Sequence, residues 1–333
     1  MCAAIELRKR GVVVDLVEID PQWRVYGAGI TIGGPTLRAF KTIGVVKAIM
    51  EQGWCADGVD MCLANGVRIA QLTNPRIAGP DVPGAGGIMR PVLARILSEA
   101  TRACGTSVRL NDWRRRLPYQ GAWRAVPECT EAEIYWAGVL ACWRAVVPRP
   151  AEIEHVTMYL GRNVKAGVNP VSKDEMYLFF LDKRDTPDHL EPEQWPTLLR
   201  ELLAEFHGPV AAIRDSITPT SRIIYRPLSA LMLEKPWHQG RVVLIGDAAH
   251  STTPHLASGA GIAVEDAIVL IDELEKEPDV ARALERFTDR RFERCRGVVE
   301  SSVRLGEIER SGGSAEEHQR VMREASAALL API

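Results

Sequence analysis

The chain has 333 residues, of which 46% are hydrophobic and 25% are charged. This composition is typical of a soluble globular protein with one large or two moderate hydrophobic cores. The formal net charge is −2. Such a balance argues against a nucleic-acid-binding protein, which needs concentrated Lys and Arg to release counterions from phosphates.

Targeting and redox signals are weak. No uninterrupted apolar stretch reaches the roughly 20 residues that a membrane-spanning helix needs, and Met1 to Arg10 lacks the layout of a signal peptide. We therefore expect no integral membrane segment and a cytoplasmic location. The seven cysteines are scattered and never spaced as CxxC, which predicts reduced thiols rather than a disulfide framework or a zinc site.

The first residues are predicted to form the second half of a βαβ unit. Cys2 to Arg10 predicts a helix, and the apolar run Val12 to Val17 predicts a strand that closes on Glu18. Dinucleotide-binding folds use a carboxylate at this point to hold a ribose, because it accepts both hydroxyl protons. The preceding strand and its GxGxxG turn would lie upstream of Met1, so we expect the domain to be incomplete at its N-terminus.

The next elements are a loop, a helix and a hairpin. Gly27 to Ile32 predicts a loop, and Pro35 is well placed at the start of a helix. A hairpin is expected around Asn65-Gly66, since apolar residues alternate on both sides. Ala78 to Gly87 is predicted to be a loop, and a helix should follow from Arg90 to about Ala103.

The middle of the chain predicts a sheet outside the nucleotide-binding layers. No element is predicted from about Asn111 to Glu133, because periodicity is absent. Strands are predicted at Val139–Val147, His155–Leu160, Met176–Leu181 and near Ile223–Tyr225, with a helix at about Glu193–Phe206. The last third predicts a strand at Arg241–Ile245, then helices at Gly259–Glu275 and Val280–Ile308.

The strongest chemical signal follows the strand at Arg241–Ile245. Gly246 allows a backbone to approach a ligand closely, Asp247 can accept hydrogen bonds from hydroxyl groups, and Pro254 fixes the next loop. Backbone amides at the start of the following helix can hold a developing negative charge. These amides belong to Gly259, Ala260 and Gly261.

This stretch resembles the Gly-Asp motif of the flavoprotein monooxygenases typified by para-hydroxybenzoate hydroxylase and salicylate hydroxylase. The resemblance extends to the strand that ends at Glu18 and to the helix led by Arg90. Cys142 to Pro150 and Lys165 to Leu181 look like the substrate-side sheet of that family. A central Asp-Gly motif, which this family also has, is not found between Arg109 and Tyr135.

The resemblance implies a fold and a domain organisation. The fold class is α/β, with a Rossmann-like FAD-binding domain that is incomplete at its N-terminus and carries an inserted, mostly antiparallel β-sheet substrate domain. The FAD-binding domain would comprise residues 1–135 and 226–310, the substrate domain residues 136–225, and a C-terminal tail residues 311–333.

The resemblance also implies an activity. NAD(P)H and dioxygen would serve as co-substrates, and a small aromatic or similarly electron-rich compound would be hydroxylated through a flavin hydroperoxide. Glu18 would hold the adenosine ribose, Arg90 the ribityl or phosphate side, and Asp247 the ribityl chain. Gly246 and Pro254 would shape the cofactor loop, and the amides of Gly259, Ala260 and Gly261 would bind the pyrimidine carbonyl of the flavin. No general acid or base is assigned.

Two alternatives remain open. The missing motifs favour a truncated, non-catalytic relative that does not bind FAD productively, and the same fold also serves FAD-dependent reductases that insert no oxygen. His250 is predicted to pack in its loop, since it has no evident acid partner, and the arginines from Arg286 to Arg296 are predicted to form a solvated helix face. Substrate identity, NADH or NADPH preference and oligomeric state are left open.

Overall fold

The computed structural model describes residues 1–25, 27–111, 132–135, 140–162, 164–183 and 190–333. The helices are α1 (Cys2–Lys9), α2 (Gly34–Ile43), α3 (Val46–Gln52), α4 (Arg90–Ala103), α5 (Trp195–Leu202), α6 (Pro209–Ser216), α7 (Asp247–His250), α8 (Gly259–Lys276), α9 (Val280–Ser311) and α10 (Ala315–Leu330). The strands are β1 (Asp15–Glu18), β2 (Gly29–Gly33), β3 (Trp54–Ala56), β4 (Gly58–Leu63), β5 (Arg68–Thr73), β6 (Ala85–Met89), β7 (Ser107–Leu110), β8 (Ala132–Tyr135), β9 (Leu140–Pro148), β10 (Val156–Leu160), β11 (Lys165–Pro170), β12 (Glu175–Lys183), β13 (Ile223–Pro227), β14 (Ala230–Leu233), β15 (His238–Gln239) and β16 (Val242–Val243).

The largest sheet has seven strands, in the order β13-β9-β12-β11-β10-β4-β5. Neighbouring strands within this sheet are antiparallel, except that β10 and β4 run parallel. The sheet is larger than the predicted segment 136–225, because the hairpin of β4 and β5 extends its edge. One face packs on the segment that contains α5 and α6, where Trp143, Leu178 and Phe206 are fully buried.

The other side of the molecule contains smaller sheets and most of the helices. β1 and β7 pair in parallel, from Asp15 opposite Ser107 to Glu18 opposite Leu110. The three-stranded sheet β2-β6-β3 shares a core with α2, α3 and α4, while α8 and α9 form another core around Trp237. These layers and the mostly antiparallel large sheet confirm the predicted α/β fold class.

Helix α4 begins and ends where the sequence predicts. Met89 precedes it in an extended conformation, and Pro91 lies in its first turn, where an amide would have no intrahelical partner. Leu93, Ile96 and Leu97 are buried at helical spacing. The apolar stripe therefore fixes which side of α4 faces the core, and it places Arg90 at the helix start.

Two predicted loops contain strands. β2 lies in the predicted loop Gly27–Ile32, and β6 begins within the predicted loop Ala78–Gly87; the two strands pair antiparallel. Glycine weakens the local signal of a strand, yet here it leaves room for a close neighbour. A Cβ on Gly29 would lie 2.2 Å from the ring of Tyr177. Local periodicity carries no information about such a distant contact.

The strand before the Gly-Asp motif is shorter than predicted. Arg241 to Ile245 is predicted to be a strand, but only Val242–Val243 forms β16. Among the described residues its hydrogen-bonded neighbour is the two-residue strand β15, so the ladder does not extend further.

The segment 311–333, predicted as a tail, contains the 16-residue helix α10. Ser314 caps it, since its side chain accepts hydrogen bonds from two amides of the first turn. Arg38 of α2 donates to the carbonyls of Leu330 and Ala331 at the other end. Both helix ends therefore have side-chain partners, and α10 packs as part of the fold.

Two general expectations can be compared with the described residues. None of the helices among them is long and apolar enough to cross a membrane. The six cysteines whose placement is described are free thiols, and Cys129 lies outside the described residues. Most of the interval from Arg109 to Tyr135, in which the Asp-Gly motif is not found, also lies outside them.

A charge cluster joins the large sheet to the last two helices. Glu309 of α9 accepts hydrogen bonds from Lys165 of β11 at 2.6 Å and from His318 of α10 at 2.9 Å. Burial alone would raise the pKa of Glu309, but His318 and Lys165 outweigh burial and hold its pKa at about 2, against an ordinary value of 4.5. The carboxylate thus stays charged well into the acid range.

Acid should destabilise the protein through Glu309. Its folded pKa lies below its unfolded pKa, so its contribution is complete above pH 4.5 and is lost as the pH falls toward 2. The loss is on the order of 3 kcal/mol. Urea unfolding from about pH 5 to about pH 3 should therefore show a flatter acid dependence for Glu309→Gln than for the unchanged chain. Glu307→Gln, at an exposed site on the same helix, should keep the original dependence; parallel profiles for all three proteins would rule this account out.

Candidate cofactor site

The Gly-Asp pair forms the turn between β16 and α7. Gly246 has φ +61°, a left-handed conformation that glycine adopts without strain. A Cβ here would lie 3.2 Å from the Ala263 Cβ, so the turn packs closely on α8. Asp247 begins α7, and its exposed carboxylate makes no hydrogen bond or ion pair with any residue that the structure describes. The turn therefore presents a free acceptor.

A buried polar network holds this turn from behind. Asp266 of α8 is fully buried, and its Oδ2 accepts hydrogen bonds from the Gly246 amide at 2.9 Å and from His250 Nε2 at 2.6 Å. Its Oδ1 accepts from Arg291 Nε of α9 at 2.8 Å. Arg291 also pairs with Glu265 at 3.0 Å. One carboxylate thus connects the turn, α8 and α9.

This network overturns two predictions. His250 is predicted to lack an acid partner, yet Asp266 lies 16 residues further on and only 2.6 Å away. The arginines of α9 are predicted to be solvated, yet the side chain of Arg291 is only 1% exposed and that of Arg294 15% exposed. The physical reason is that the acidic residues of α8 face α9. Carboxylates therefore stabilise the charges of these arginines, where water would stabilise them on an exposed helix face.

The network keeps His250 and Asp266 charged. Burial alone would lower the pKa of His250, but Asp266 raises it to about 10. Burial alone would raise the pKa of Asp266, but His250 and Arg291 hold that pKa below its usual range. Ligand-type atoms of His250, Asp266 and Cys295 lie within 4.8 Å of one another. Because Arg291 already supplies positive charge there, we interpret the cluster as a hydrogen-bond network rather than a metal site.

The first amides of α8 lie beside the turn and have no hydrogen-bond partner among the described residues. Gly259, Ala260 and Gly261 precede the first hydrogen bond of the helix, from the Ile262 amide to the Ser258 carbonyl at 3.0 Å. A Cβ on Gly261 would lie 2.3 Å from Thr36 Oγ1 of α2, so only glycine fits. The helix dipole reinforces these amides, which suits them to a partial negative charge.

Pro254, predicted to fix the cofactor loop, begins a short 3₁₀-helix that ends at Leu256. The following Ala257 has φ 49°, and Ser258 occupies the N-cap position of α8, with its hydroxyl donating to the Leu256 carbonyl at 2.8 Å. His255 in this loop is buried, and its Nδ1 forms a 2.8 Å hydrogen bond with Thr253 Oγ1. These contacts hold the loop in place, and the cofactor-shaping role of Pro254 stays a prediction.

Arg90 lies at the first turn of α4, beside the strand β2. Its amide donates to the Ala28 carbonyl at 3.1 Å, and a Cβ on Gly27 would lie 2.7 Å from Arg90 Cδ. The half-buried guanidinium makes no hydrogen bond or ion pair within the described part of the chain. Burial and then the charge of Arg144 lower the pKa of Arg90, while Asp247 acts in the opposite direction. A poorly solvated, unpaired cation of this kind is suited to an anionic ligand.

The sheet face nearest to Arg90 is aromatic. Tyr177 of β12 packs with Ala28 and Met89, next to Phe179. Its hydroxyl forms a 2.6 Å hydrogen bond with Thr31 Oγ1 of β2. The large sheet is thereby fixed directly against β2, which pairs with β6, the strand before Arg90. Tyr177 is buried in this contact.

Glu18, predicted to hold a ribose, ends β1 as expected. Its Oε1 accepts a 3.0 Å hydrogen bond from the Asp20 amide. No hydrogen bond among the described residues connects Glu18 to Arg90 or to the Gly-Asp turn. The structure therefore brings together Gly246, Asp247 and the start of α8, places Arg90 near Asp247, and leaves the role of Glu18 as a prediction.

These features fit FAD. The unpaired amides of α8 suit a flavin carbonyl, the unpaired Arg90 suits a phosphate or ribityl oxygen, and the free carboxylate of Asp247 suits hydroxyl groups. At Gly27 and Gly246 a Cβ would crowd Arg90 and Ala263, so glycine lets the backbone pack closely against both residues.

Sequence reasoning missed four residues near this site: Asp266, Arg291, Arg144 and Tyr177. Charged residues on a helix usually predict an exposed face, so Asp266 and Arg291 were not expected to contact each other. One signal was available, because Glu265-Asp266 interrupts the apolar run from Ile262 to Ile271. Acidic residues inside such a run predict burial with a cationic partner.

Comparison with known proteins identifies the family. The protein family described as "FAD binding domain" matches residues 125–302, which is more than half of the chain. The aurachin C monooxygenase/isomerase of Stigmatella aurantiaca is 26% identical over 332 residues, covering 91% of this chain and 85% of that protein. An FAD-dependent urate hydroxylase of Mycolicibacterium vanbaalenii is 35% identical over 150 residues, covering 43% of this chain and 36% of that protein.

A solved structure shows the same fold. Klebsiella pneumoniae HpxO complexed with FAD and uric acid is similar with a TM-score of 0.80 and 19% identity, covering 99% of this chain and 91% of that one. At this identity the similarity establishes the fold alone. The matched family and the monooxygenase and hydroxylase relatives establish the rest: the chain belongs to the FAD-binding-domain family and is an FAD-dependent monooxygenase.

Proposed function

We propose that this monooxygenase hydroxylates a small, planar, electron-rich aromatic or heteroaromatic compound, with NAD(P)H and dioxygen as co-substrates. In the overall reaction NAD(P)H gives up a hydride, one oxygen atom enters the substrate, and the other leaves as water with the hydride and a proton. The observation that carries this proposal is the set of unpaired polar groups, at Arg90, Asp247 and the start of α8, near an aromatic sheet face. The names of the relatives, which mention urate and aurachin C, agree with a planar heteroaromatic substrate.

We propose a role in FAD binding for each predicted site residue. Arg90 would bind the phosphate or ribityl side of FAD, Asp247 the ribityl hydroxyls, and the amides of Gly259, Ala260 and Gly261 the flavin carbonyl. Gly246 and Pro254 would shape the loop, and Glu18 would hold the adenosine ribose. When bound, FAD supplies the redox and oxygen-transfer chemistry.

The sheet would orient the substrate. Burial raises the pKa of Tyr177, so its hydroxyl stays protonated and keeps its hydrogen bond to Thr31. This fixes β12 beside the cofactor residues, with Tyr177 buried and the half-buried ring of Phe179 as the aromatic surface there. A planar ring packed on such a face is held and shielded from water by apolar contacts.

We also propose which parts of the fold bind the substrate and FAD, and where the protein is located. The seven-stranded sheet would bind the substrate, and the layers around α2, α4 and α8 would bind FAD. A cytoplasmic location agrees with the free thiols of the described cysteines. The monooxygenase and hydroxylase relatives give no support to a non-catalytic remnant or to a reductase without oxygen insertion.

Oxygen labelling tests the proposed reaction. FAD-loaded protein should oxidise NADH or NADPH faster when uric acid, salicylate or a quinolone is present, and one of these probes should acquire one ¹⁸O atom from labelled dioxygen. Mass spectrometry of the products detects the label. If the probes accelerate NAD(P)H oxidation but only hydrogen peroxide forms, or if the product carries unlabelled oxygen from water, the proposed hydroxylation of this compound class is wrong.

Arg90→Met should weaken FAD binding about tenfold or more. One charge-assisted hydrogen bond contributes roughly 1.5–3 kcal/mol, and about 1.4 kcal/mol corresponds to a factor of ten. The fold should survive, since Arg90 has no partner in the described residues. Arg95→Met is the matched control on the same helix, because Arg95 is exposed and pairs with Glu99. Flavin fluorescence titration measures both affinities; equal affinity for Arg90→Met and the unchanged chain would remove Arg90 from the site.

A further inference from the structure

Asp266 contacts both ends of the short helix that carries Asp247. Helix α7 spans four residues, from Asp247 to His250. The residue just before it, Gly246, donates its amide to Asp266 Oδ2, and its last residue, His250, donates Nε2 to the same oxygen. Three residues, Asp247 to Ala249, lie between the two residues that Asp266 holds, and Asp247 is the first of them.

Asp266 also belongs to the helix that presents the unpaired amides. It lies in α8, two turns after Gly259, and its Oδ1 is held by Arg291 of α9. Because the carboxylate is rigidly attached to α8, the position of the Gly-Asp turn relative to Gly259, Ala260 and Gly261 is set through it. The fully buried network leaves the carboxylate little freedom to move.

We propose that Asp266 is a positioning residue for FAD, which places the Asp247 carboxylate at a fixed distance from the amides at the start of α8. Asp266 does not touch the cofactor itself. The inference rests on the proposed placement of FAD at this turn. It adds a residue that acts on the cofactor through the backbone of Gly246.

Asparagine cannot replace Asp266 in this arrangement. Three donors converge on the two carboxylate oxygens, from Gly246, His250 and Arg291. The amide of asparagine has one acceptor oxygen, and its NH₂ group must face at least one of these donors. If the NH₂ group faces the turn, Gly246 and His250 lose their acceptor; if it faces α9, Arg291 loses its acceptor and no longer fixes the side chain. The turn is held less firmly in either orientation.

Glu265 provides a matched control. It is as buried as Asp266 and pairs with Arg291 at 3.0 Å and with Arg294 at 2.8 Å. No hydrogen bond connects it to the Gly-Asp turn in the part of the chain that the structure describes. Glu265→Gln should therefore lower stability as a buried charge loss does, but it should leave the turn where it is.

The test compares FAD affinity with stability in the two variants. Flavin fluorescence titration should give a dissociation constant at least about tenfold higher for Asp266→Asn, but within about threefold of the original for Glu265→Gln. Urea unfolding without FAD should show that both variants are folded and destabilised. Unchanged affinity in Asp266→Asn, or an equal loss of affinity in Glu265→Gln, would overturn the inference.

Two further variants keep the outcome decisive. If Asp266→Asn does not fold, His250→Phe serves instead, because it removes one donor but keeps an aromatic ring against Trp237, whose ring centroid lies 5.2 Å from that of His250. His250→Phe should also weaken FAD binding. Unchanged FAD affinity would count against a positioning role for Asp266. Asp247→Ala tests the underlying placement. If Asp247→Ala leaves FAD affinity unchanged, the proposed placement itself is wrong; if it weakens binding while Asp266→Asn does not, only the present inference fails.

Discussion

Replacing Arg291 with methionine should lower the free energy of unfolding by about 3–5 kcal/mol. Arg291 is 1% exposed, donates to Asp266 at 2.8 Å and pairs with Glu265 at 3.0 Å. It also donates to the Ile262 carbonyl at 3.1 Å. Methionine fills much of the volume but leaves two buried carboxylates without their shared cation, and water does not reach them.

Urea unfolding of the variant without FAD measures this loss. Arg296→Met is the control on the same helix, because Arg296 is 43% exposed and its ion pairs with Glu293 and Glu300 lie at the surface. Exposed pairs of this kind contribute about 0–1 kcal/mol. If both methionine variants are equally stable, Arg291 is not buried as described and the network around Asp266 is misplaced.

The second large effect is expected in the core of the seven-stranded sheet. Trp143→Ala should cost about 3–5 kcal/mol, since it removes a fully buried indole and leaves a cavity. The ring lies 4.6 Å from that of Tyr225, and its Nε1 donates to Asp182 at 3.2 Å. The substitution therefore removes apolar contacts and also deprives a buried carboxylate of a donor.

Thermal and urea unfolding should both report this loss for Trp143→Ala. Leu72→Ala on the edge strand β5 serves as the comparison, because Leu72 is 55% exposed and should cost less than about 0.5 kcal/mol. If Trp143→Ala unfolds at the same urea concentration as Leu72→Ala, Trp143 does not lie in the core of the seven-stranded sheet.

The elements that the sequence predicts well are those with a strong local pattern. Helix α4 has Pro91 in its first turn and an apolar stripe, and α8 follows a glycine-rich turn with a long apolar run. Strand β9 alternates between core residues such as Trp143 and residues such as Arg144 on its other face. Periodicity and capping are local properties, so they suffice for these elements.

The elements that the sequence does not predict depend on distant contacts. β2 contains glycines because the ring of Tyr177, far along the chain, occupies the space above Gly29. The join of the hairpin β4–β5 to the large sheet depends on parallel pairing of β4 with β10. Neither the spacing nor the propensity of the strands encodes which partner they select.

The candidate site shows the same division. The Gly-Asp pair, Pro254 and the amides of α8 form a continuous stretch, so a motif was enough to find them. Asp266, His250 and Arg291 meet only because α7, α8 and α9 pack together. A helical arginine is normally solvated, and only the tertiary contact shows that Arg291 is neutralised by two carboxylates.

A visible absorption titration shows whether this chain binds FAD at the site formed by Arg90, Asp247 and the start of α8. Adding FAD to the purified, folded protein should shift the flavin bands in a saturable manner, with an end point near one FAD per chain, and Arg90→Met should require more FAD for the same shift. A spectrum that stays that of free flavin at excess FAD, while urea unfolding shows that the protein is folded, would contradict the account.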